Sequence, residues 1–139
     1  MADTLDDLKR NLQSLANSIS SKLNERQGYL DKADEIQKVY DRLARDKKTI
    51  KEYRNDIVYF YKESYNEFKG DNYKYTYKPS IQDLRDSYDD VISNIDINLD
   101  AFNNQILSYK NKASGCLGSL GYMQIAYNSV KTQIQNWTN

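Results

Sequence analysis

Residues 81–137 read IQDLRDSYDDVISNIDINLDAFNNQILSYKNKASGCLGSLGYMQIAYNSVKTQIQNW and contain no proline. The apolar residues of this stretch recur at alternating steps of three and four, which places their side chains on one face of a long α-helix. The register slips once, between Ile95 and Leu99. The pattern therefore predicts one continuous helix. Its seam consists of Ile81, Leu84, Tyr88, Val91, Ile95, Leu99, Phe102, Ile106, Tyr109, Ala113, Cys116, Leu120, Met123, Tyr127, Val130, Ile134 and Trp137.

A second seam occupies the amino-terminal half of the chain and follows a seven-residue repeat. Its two series are Leu5, Leu12, Ile19, Arg26, Ala33, Tyr40, Lys47, Arg54, Tyr61 and Leu8, Leu15, Lys22, Tyr29, Ile36, Leu43, Ile50, Ile57, Ser64. Two seams of matching length predict an all-α fold. We expect a single domain over residues 1–139, a long, coiled-coil-like antiparallel hairpin of two helices at about 4–69 and 80–137.

Both predicted helices begin at a capping signal, in which a hydroxyl and an acid three residues later satisfy free backbone amides. The signals are Thr4–Asp7 and Ser80–Asp83, and the only proline, Pro79, precedes the second. A turn centred near 73–75 would pair residues whose numbers add to about 148 and set basic residues 42–54 against acidic residues 83–100. Two unrelated, solvated charge runs remain the alternative.

Composition excludes several classes of function. The chain has 139 residues with 20 basic and 20 acidic side chains, and this neutral balance disfavours nucleic-acid binding. It has no histidine and one cysteine, Cys116, so the usual zinc sites and catalytic triads cannot form. We expect Cys116 to be a small buried residue, and we expect no enzyme activity, metal or cofactor. Carboxylates such as Asp86, Asp89 and Asp90 are expected to be solvated on a helix face.

We expect the chain to be synthesised in the cytoplasm. No run of about 18 apolar residues is present, so we expect no membrane span, and the acidic first residues differ from a secretory signal peptide.

Two further features each have two interpretations. Gly115, Gly118 and Gly121 could let another helix approach closely beside Ala113, Ser114 and Ser119, or they could produce a local bend. Aromatic residues between the helices could close the end of the hairpin or contact a partner. Those considered for partner contact are Tyr73, Tyr75 and Tyr77.

Cations interrupt the amino-terminal seam at positions that a self-sufficient hairpin would fill with leucine or isoleucine. They are Lys22, Arg26, Lys47 and Arg54. Because an unpaired buried cation is unfavourable, we expect an isolated chain that is marginally stable or dimeric. A partner with acidic and apolar helices would pair these cations and cover neighbouring apolar residues. The candidate partner-binding residues are therefore Leu23, Leu30, Val39, Lys47 and Arg54, together with Tyr73, Tyr75 and Tyr77.

A long helix that ends in Phe68-Lys69-Gly70, followed by a short turn and another long helix, resembles the Trp-x-Gly helical-hairpin proteins of the Gram-positive type VII secretion system. Phe68 stands where that family has tryptophan, and Gly70 matches its glycine as the turn motif. In length and helicity the chain looks most like the small partners of LXG-domain toxins. The resemblance implies a chaperone or targeting factor that binds the helical amino-terminal domain of such a toxin and assists its export.

The family's export signal, Tyr-x-x-x-Asp/Glu, does not follow the second helix, since Ala126 and Lys131 stand four places after Tyr122 and Tyr127. Three routes stay open: export through the type VII machinery without a cleaved signal peptide, export by means of the partner's signal, or retention in the cytoplasm. The partner could be the toxin, another small helical protein, or a second copy. The alternative function is a generic coiled-coil adaptor or structural spacer that self-associates.

Overall fold

A computed structural model describes the backbone of residues 4–67 and 78–138, with side chains for residues 4–59 and 78–138. These residues form two α-helices, α1 at Leu5–Glu67 and α2 at Lys78–Thr138, and they include no strand. The predicted all-α helical hairpin is confirmed. The bounds of both helices lie within two residues of those predicted.

The capping signal at the start of α1 is present as predicted. The hydroxyl oxygen of Thr4 accepts a hydrogen bond from the Asp7 backbone N–H at 3.2 Å, and the Asp7 carboxylate accepts one from the Thr4 N–H at 3.2 Å. The Leu8 N–H then donates to the Thr4 carbonyl at 3.0 Å. Two amides that have no acceptor within the helix are satisfied in this way.

The predicted cap of the second helix is wrong. Helix α2 begins at Lys78, so Ser80 lies within its first turn instead of preceding it. The physical reason lies in Pro79, which is tolerated in the first turn of a helix because an N–H at that point would have no acceptor. Pro79 and Ser80 therefore do not mark the start of α2, because both residues already lie within the helix.

The chain forms two compact units. The first, unit 1, comprises Met1–Glu35 and Gln105–Asn139, and the second, unit 2, comprises Ile36–Asn104. Within unit 1 the two helical segments run antiparallel. Residues 10–25 of α1 line a groove together with Met123, whereas Tyr29, which comes later in α1, stacks on Tyr109, which comes earlier in α2. The buried apolar residues of unit 1 are Leu8, Ala33, Ile106, Ala113 and Cys116, so the prediction of a buried Cys116 is confirmed.

Unit 2 is also antiparallel, and its charges pair across the helices. Lys47 pairs with Asp96 and Arg54 with Asp89, while Ile95 and Leu99 are buried. The basic and acidic stretches therefore face each other as expected, but in both pairs the residue numbers add to 143 instead of 148. The charge runs are long enough to match at several registers, so charge alone could not select the correct one.

Parts of the predicted α2 seam are wrong. Leu84, Val91 and Trp137 are exposed, whereas Ile92 is half-buried. Two apolar residues stand side by side at positions 91 and 92, and the three-four spacing cannot decide between them. In this region the prediction therefore assigned the inward face of α2 to Val91, whereas the structure has Ile92 on the inward face.

The glycines of α2 lie within continuous helix. Residues 78–138 are helical throughout, and no described glycine has a positive φ. A Cβ atom added at Gly115, Gly118 or Gly121 would meet no atom within 4 Å. These glycines therefore do not serve the packing of α2 against α1.

Candidate protein-binding surface

The described residues form a thin core. None of their large side chains is completely buried, and the buried apolar set is small: Leu8, Ala33, Ile95, Leu99, Ile106, Ala113 and Cys116. A helix buries its apolar stripe fully only when other layers cover it. With two helices, much of each stripe stays half-buried. The surface of this protein therefore retains apolar area that another helix could cover.

Two of the predicted partner-binding residues are exposed apolar side chains on α1. Leu23 is 49% exposed and Val39 48% exposed, while Leu30 is half-buried. Leu23 and Leu30 are seven residues apart, which places them on the same face of α1. They lie in unit 1, and Val39 lies in unit 2. The turn motif Phe68 and Gly70, and the candidates Tyr73, Tyr75 and Tyr77, lie outside the described residues.

The expectation that Lys47 and Arg54 lack partners within the chain is wrong. Lys47 forms an ion pair with Asp96. Arg54 binds Asp89 through two hydrogen bonds, from Nε to Oδ1 at 2.7 Å and from Nη2 to Oδ2 at 3.4 Å. These bonds hold the pKa of Asp89 below its ordinary value and raise that of Arg54. Both cations belong to the internal pairing of unit 2, in agreement with the predicted match of basic residues 42–54 with acidic residues 83–100.

Lys22 also has a local partner. Its ammonium group donates to the Glu25 carboxylate at 2.9 Å, and the Tyr29 hydroxyl donates to the same carboxylate at 3.3 Å. The hydrogen bond from Lys22 lowers the pKa of Glu25 and raises that of Lys22, and the charge of Glu25 raises the pKa of Tyr29. This cluster satisfies Lys22 without help from another protein.

Arg26 differs from the other seam cations. Its Nε atom is buried and has no hydrogen-bond partner in the described part of the chain. A buried donor without an acceptor costs about 1–3 kcal/mol. Four cations of the amino-terminal seam were predicted to need acceptors from a partner protein. Among these four, the structure shows an unsatisfied buried donor at Arg26.

A groove of about 630 Å³ runs beside the helices of unit 1. Three short side chains, Ser14, Ser18 and Ser21, lie at steps of four and three along α1, and Met123 contributes from α2. Because serine side chains are short, they leave space in which ridges of another helix can pack. The complete lining is Arg10, Gln13, Ser14, Asn17, Ser18, Ser21, Lys22, Glu25 and Met123.

Sequence reasoning missed this groove because serines on an outer helix face look like ordinary solvated residues. The available signal was their three-four spacing beside the amino-terminal seam. The charged residues of its lining are Arg10, Lys22 and Glu25, and the last two are paired with each other. The groove thus offers shape and hydroxyl groups for binding.

An aromatic pair packs across unit 1 and was also missed. The rings of Tyr29 and Tyr109 stack with centroids 6.3 Å apart. The Lys112 ammonium lies 5.8 Å and 5.3 Å from the two ring centroids, and that of Lys32 lies 5.5 Å from Tyr109. Cation–π contacts of this kind hold the lysine side chains against the helices. Each tyrosine was assigned to a seam from the sequence, but their pairing required the register.

Neither described helix contains a segment long and apolar enough to cross a bilayer. Within the same residues, no group of three or more cysteine or carboxylate side chains is placed to hold a metal ion.

Comparison with protein-family models, with curated proteins and with solved structures gave no match for this chain.

Proposed function

We propose that this protein is a helical binding partner whose apolar surface is completed by helices of another protein. The observation that supports it is the absence of any completely buried large side chain among the described residues. Covering half-exposed apolar side chains is favourable by about 25 cal/mol per Å² of apolar area. A second protein that supplies this cover stabilises the folded chain by mass action.

The partner we propose is the helical amino-terminal domain of a type VII LXG toxin, and the role is that of a chaperone or targeting factor in its export. The resemblance of the two long helices and of Phe68-Lys69-Gly70 to the Trp-x-Gly hairpin proteins supports this choice. The serine-lined groove of unit 1 is of a kind that receives the side chains of a partner helix.

The chemistry expected of the partner helix follows from the residues it would cover. Apolar side chains would pack on the exposed Leu23 and on the half-buried Leu30, which share one face of α1 in unit 1. Lys47 and Arg54 are not part of the proposed surface, because Asp96 and Asp89 already pair with them.

The experiment is co-expression of the full chain with the helical amino-terminal domain of a cognate LXG toxin. We expect the two proteins to co-elute in size-exclusion chromatography and the complex to melt at a higher temperature than either protein alone. Leu23→Glu should weaken the complex with little loss of stability in the free chain, because exposed substitutions usually change stability by less than about 0.5 kcal/mol.

Ile97→Glu is the matched control, since Ile97 is an exposed apolar residue on α2 of unit 2. This variant should bind as tightly as the unmodified chain. Failure of the two proteins to co-elute under any condition, or equal weakening by the two substitutions, would contradict the proposal.

A further inference from the structure

A further row of residues lies on the outer face of α2 within unit 1 and follows steps of four and three. We call it the outer seam. It consists of Leu107, Asn111, Ser114, Gly118, Gly121, Ile125, Asn128 and Thr132. All eight residues are exposed, none is charged, and Ile125 is 69% exposed. This repeat has the same spacing as a coiled-coil contact face, although it faces away from α1.

Packing within the described part of the chain does not require glycine at the two central positions. A Cβ atom at Gly118 or Gly121 would meet nothing within 4 Å, and neither residue has a positive φ. Glycine is also a weak helix former. Side-chain size at the contact point sets how closely two helices approach. Adjacent glycines on an outer seam therefore permit an unusually close helix crossing.

Four of the eight positions of the outer seam carry the same residue when the seam is read in either direction, namely Asn111, Gly118, Gly121 and Asn128. An antiparallel second copy, related by a two-fold axis between Gly118 and Gly121, places glycine opposite glycine at the centre. On each side of that centre Ser114 faces Ile125 of the second copy, so a short side chain meets a long one. Asn111 then faces Asn128, and an amide can both donate to and accept from another amide. Two-fold contacts of this kind require such a self-complementary surface.

The residues that flank the outer seam match in the same register. Leu117 faces Tyr122 of the second copy, which covers two exposed apolar side chains, and Tyr122 is 80% exposed in the single chain. Lys110 faces Ser129, and Lys131 faces Ser108. The two lysines that flank the outer seam therefore do not directly face each other.

We propose that the outer seam binds the outer seam of a second copy of this chain in an antiparallel, two-fold arrangement. The contact extends over 26 residues, from Leu107 to Thr132, which is about 39 Å of helix. It uses no residue of the serine-lined groove, and neither Leu23 nor Val39. Self-association is therefore independent of the proposed function and can be tested without any toxin.

The test is sedimentation equilibrium of the full chain at concentrations from about 1 µM to about 1 mM, a range that covers three decades of Kd. The average mass should rise from the 16.3 kDa of one chain toward twice that value. Gly118→Leu should raise Kd by more than about tenfold because the larger side chain prevents close approach. Gly28→Leu is the matched control, since Gly28 is also helical with nothing within 4 Å of its Cβ position.

A charge pair tests the register. Ser114→Glu and Ile125→Lys should each raise Kd by about tenfold or more, because each places an unpaired charge in the contact. A 1:1 mixture of the two variants should restore association, since the new glutamate of one chain faces the new lysine of the other. A chain that stays at 16.3 kDa at every concentration, equal effects of the two glycine substitutions, or a mixture no tighter than its components would each overturn the proposal.

Discussion

Replacing the four helical glycines by alanine should stabilise the protein. Gly28, Gly115, Gly118 and Gly121 lie inside α1 or α2, have no positive φ, and have no atom within 4 Å of an added Cβ. Alanine is favoured over glycine by about 0.8–1.0 kcal/mol at a helix interior position. Because the new methyl groups displace nothing, the four gains should sum to about 3–4 kcal/mol.

The assay is urea unfolding followed by helical circular dichroism, at a protein concentration low enough to keep the chain monomeric. The midpoint should rise while the slope with urea stays the same, because the buried surface does not change. For a chain of this size, about 3–4 kcal/mol corresponds to a rise in Tm of roughly 10 °C.

The reverse substitution Ala101→Gly provides the control. Ala101 is an exposed residue of α2, and its replacement should lower the free energy of unfolding by about 1 kcal/mol. The reasoning would be refuted by any single glycine-to-alanine variant that unfolds at lower urea, since that result would mean a non-helical backbone or a close neighbour at that glycine.

Two further predictions concern unit 2. Ile95→Ala should lower the free energy of unfolding by about 2–5 kcal/mol because its side chain is buried, whereas the exposed Ile97→Ala should change it by less than about 0.5 kcal/mol; similar losses would contradict the helix orientation. Arg54→Ala and Asp89→Asn should each destabilise the protein, and the double variant should lose less than the two losses added together, as measured in a double-mutant cycle. Because the pKa of Asp89 is lowered in the folded chain, this stabilisation is present above the ordinary carboxyl pKa of 3.8 and disappears as the pH falls through the lowered value. An additive cycle at neutral pH would mean that the pair does not form in solution.

The candidate surface could be predicted only in part. The exposed residues Leu23 and Val39 were found because they are apolar residues beside a polar seam, which is a local property. The groove of unit 1 was missed, because it depends on which α2 residue stands beside Ser14, Ser18 and Ser21. The outer seam, although its spacing is visible in the sequence, became recognisable only when the structure showed that a Cβ atom added at Gly118 or Gly121 would meet no described atom within 4 Å.

Local sequence was sufficient to determine that the chain forms two helices, that Thr4 and Asp7 cap the first, and that the second continues through Gly115 and Gly121. These properties depend on residues within one or two helical turns, whose spacing and hydrogen-bonding groups act before any tertiary contact forms.

Only the tertiary structure decided which residues meet across the two helices of each unit. It paired Arg54 with Asp89, stacked Tyr29 on Tyr109, and turned Leu84 outward. Each of these outcomes depends on the register between helical segments that are far apart in sequence. Several registers satisfy the same charge and apolar spacing, and the choice among them comes from the packing of side chains on both helices at once.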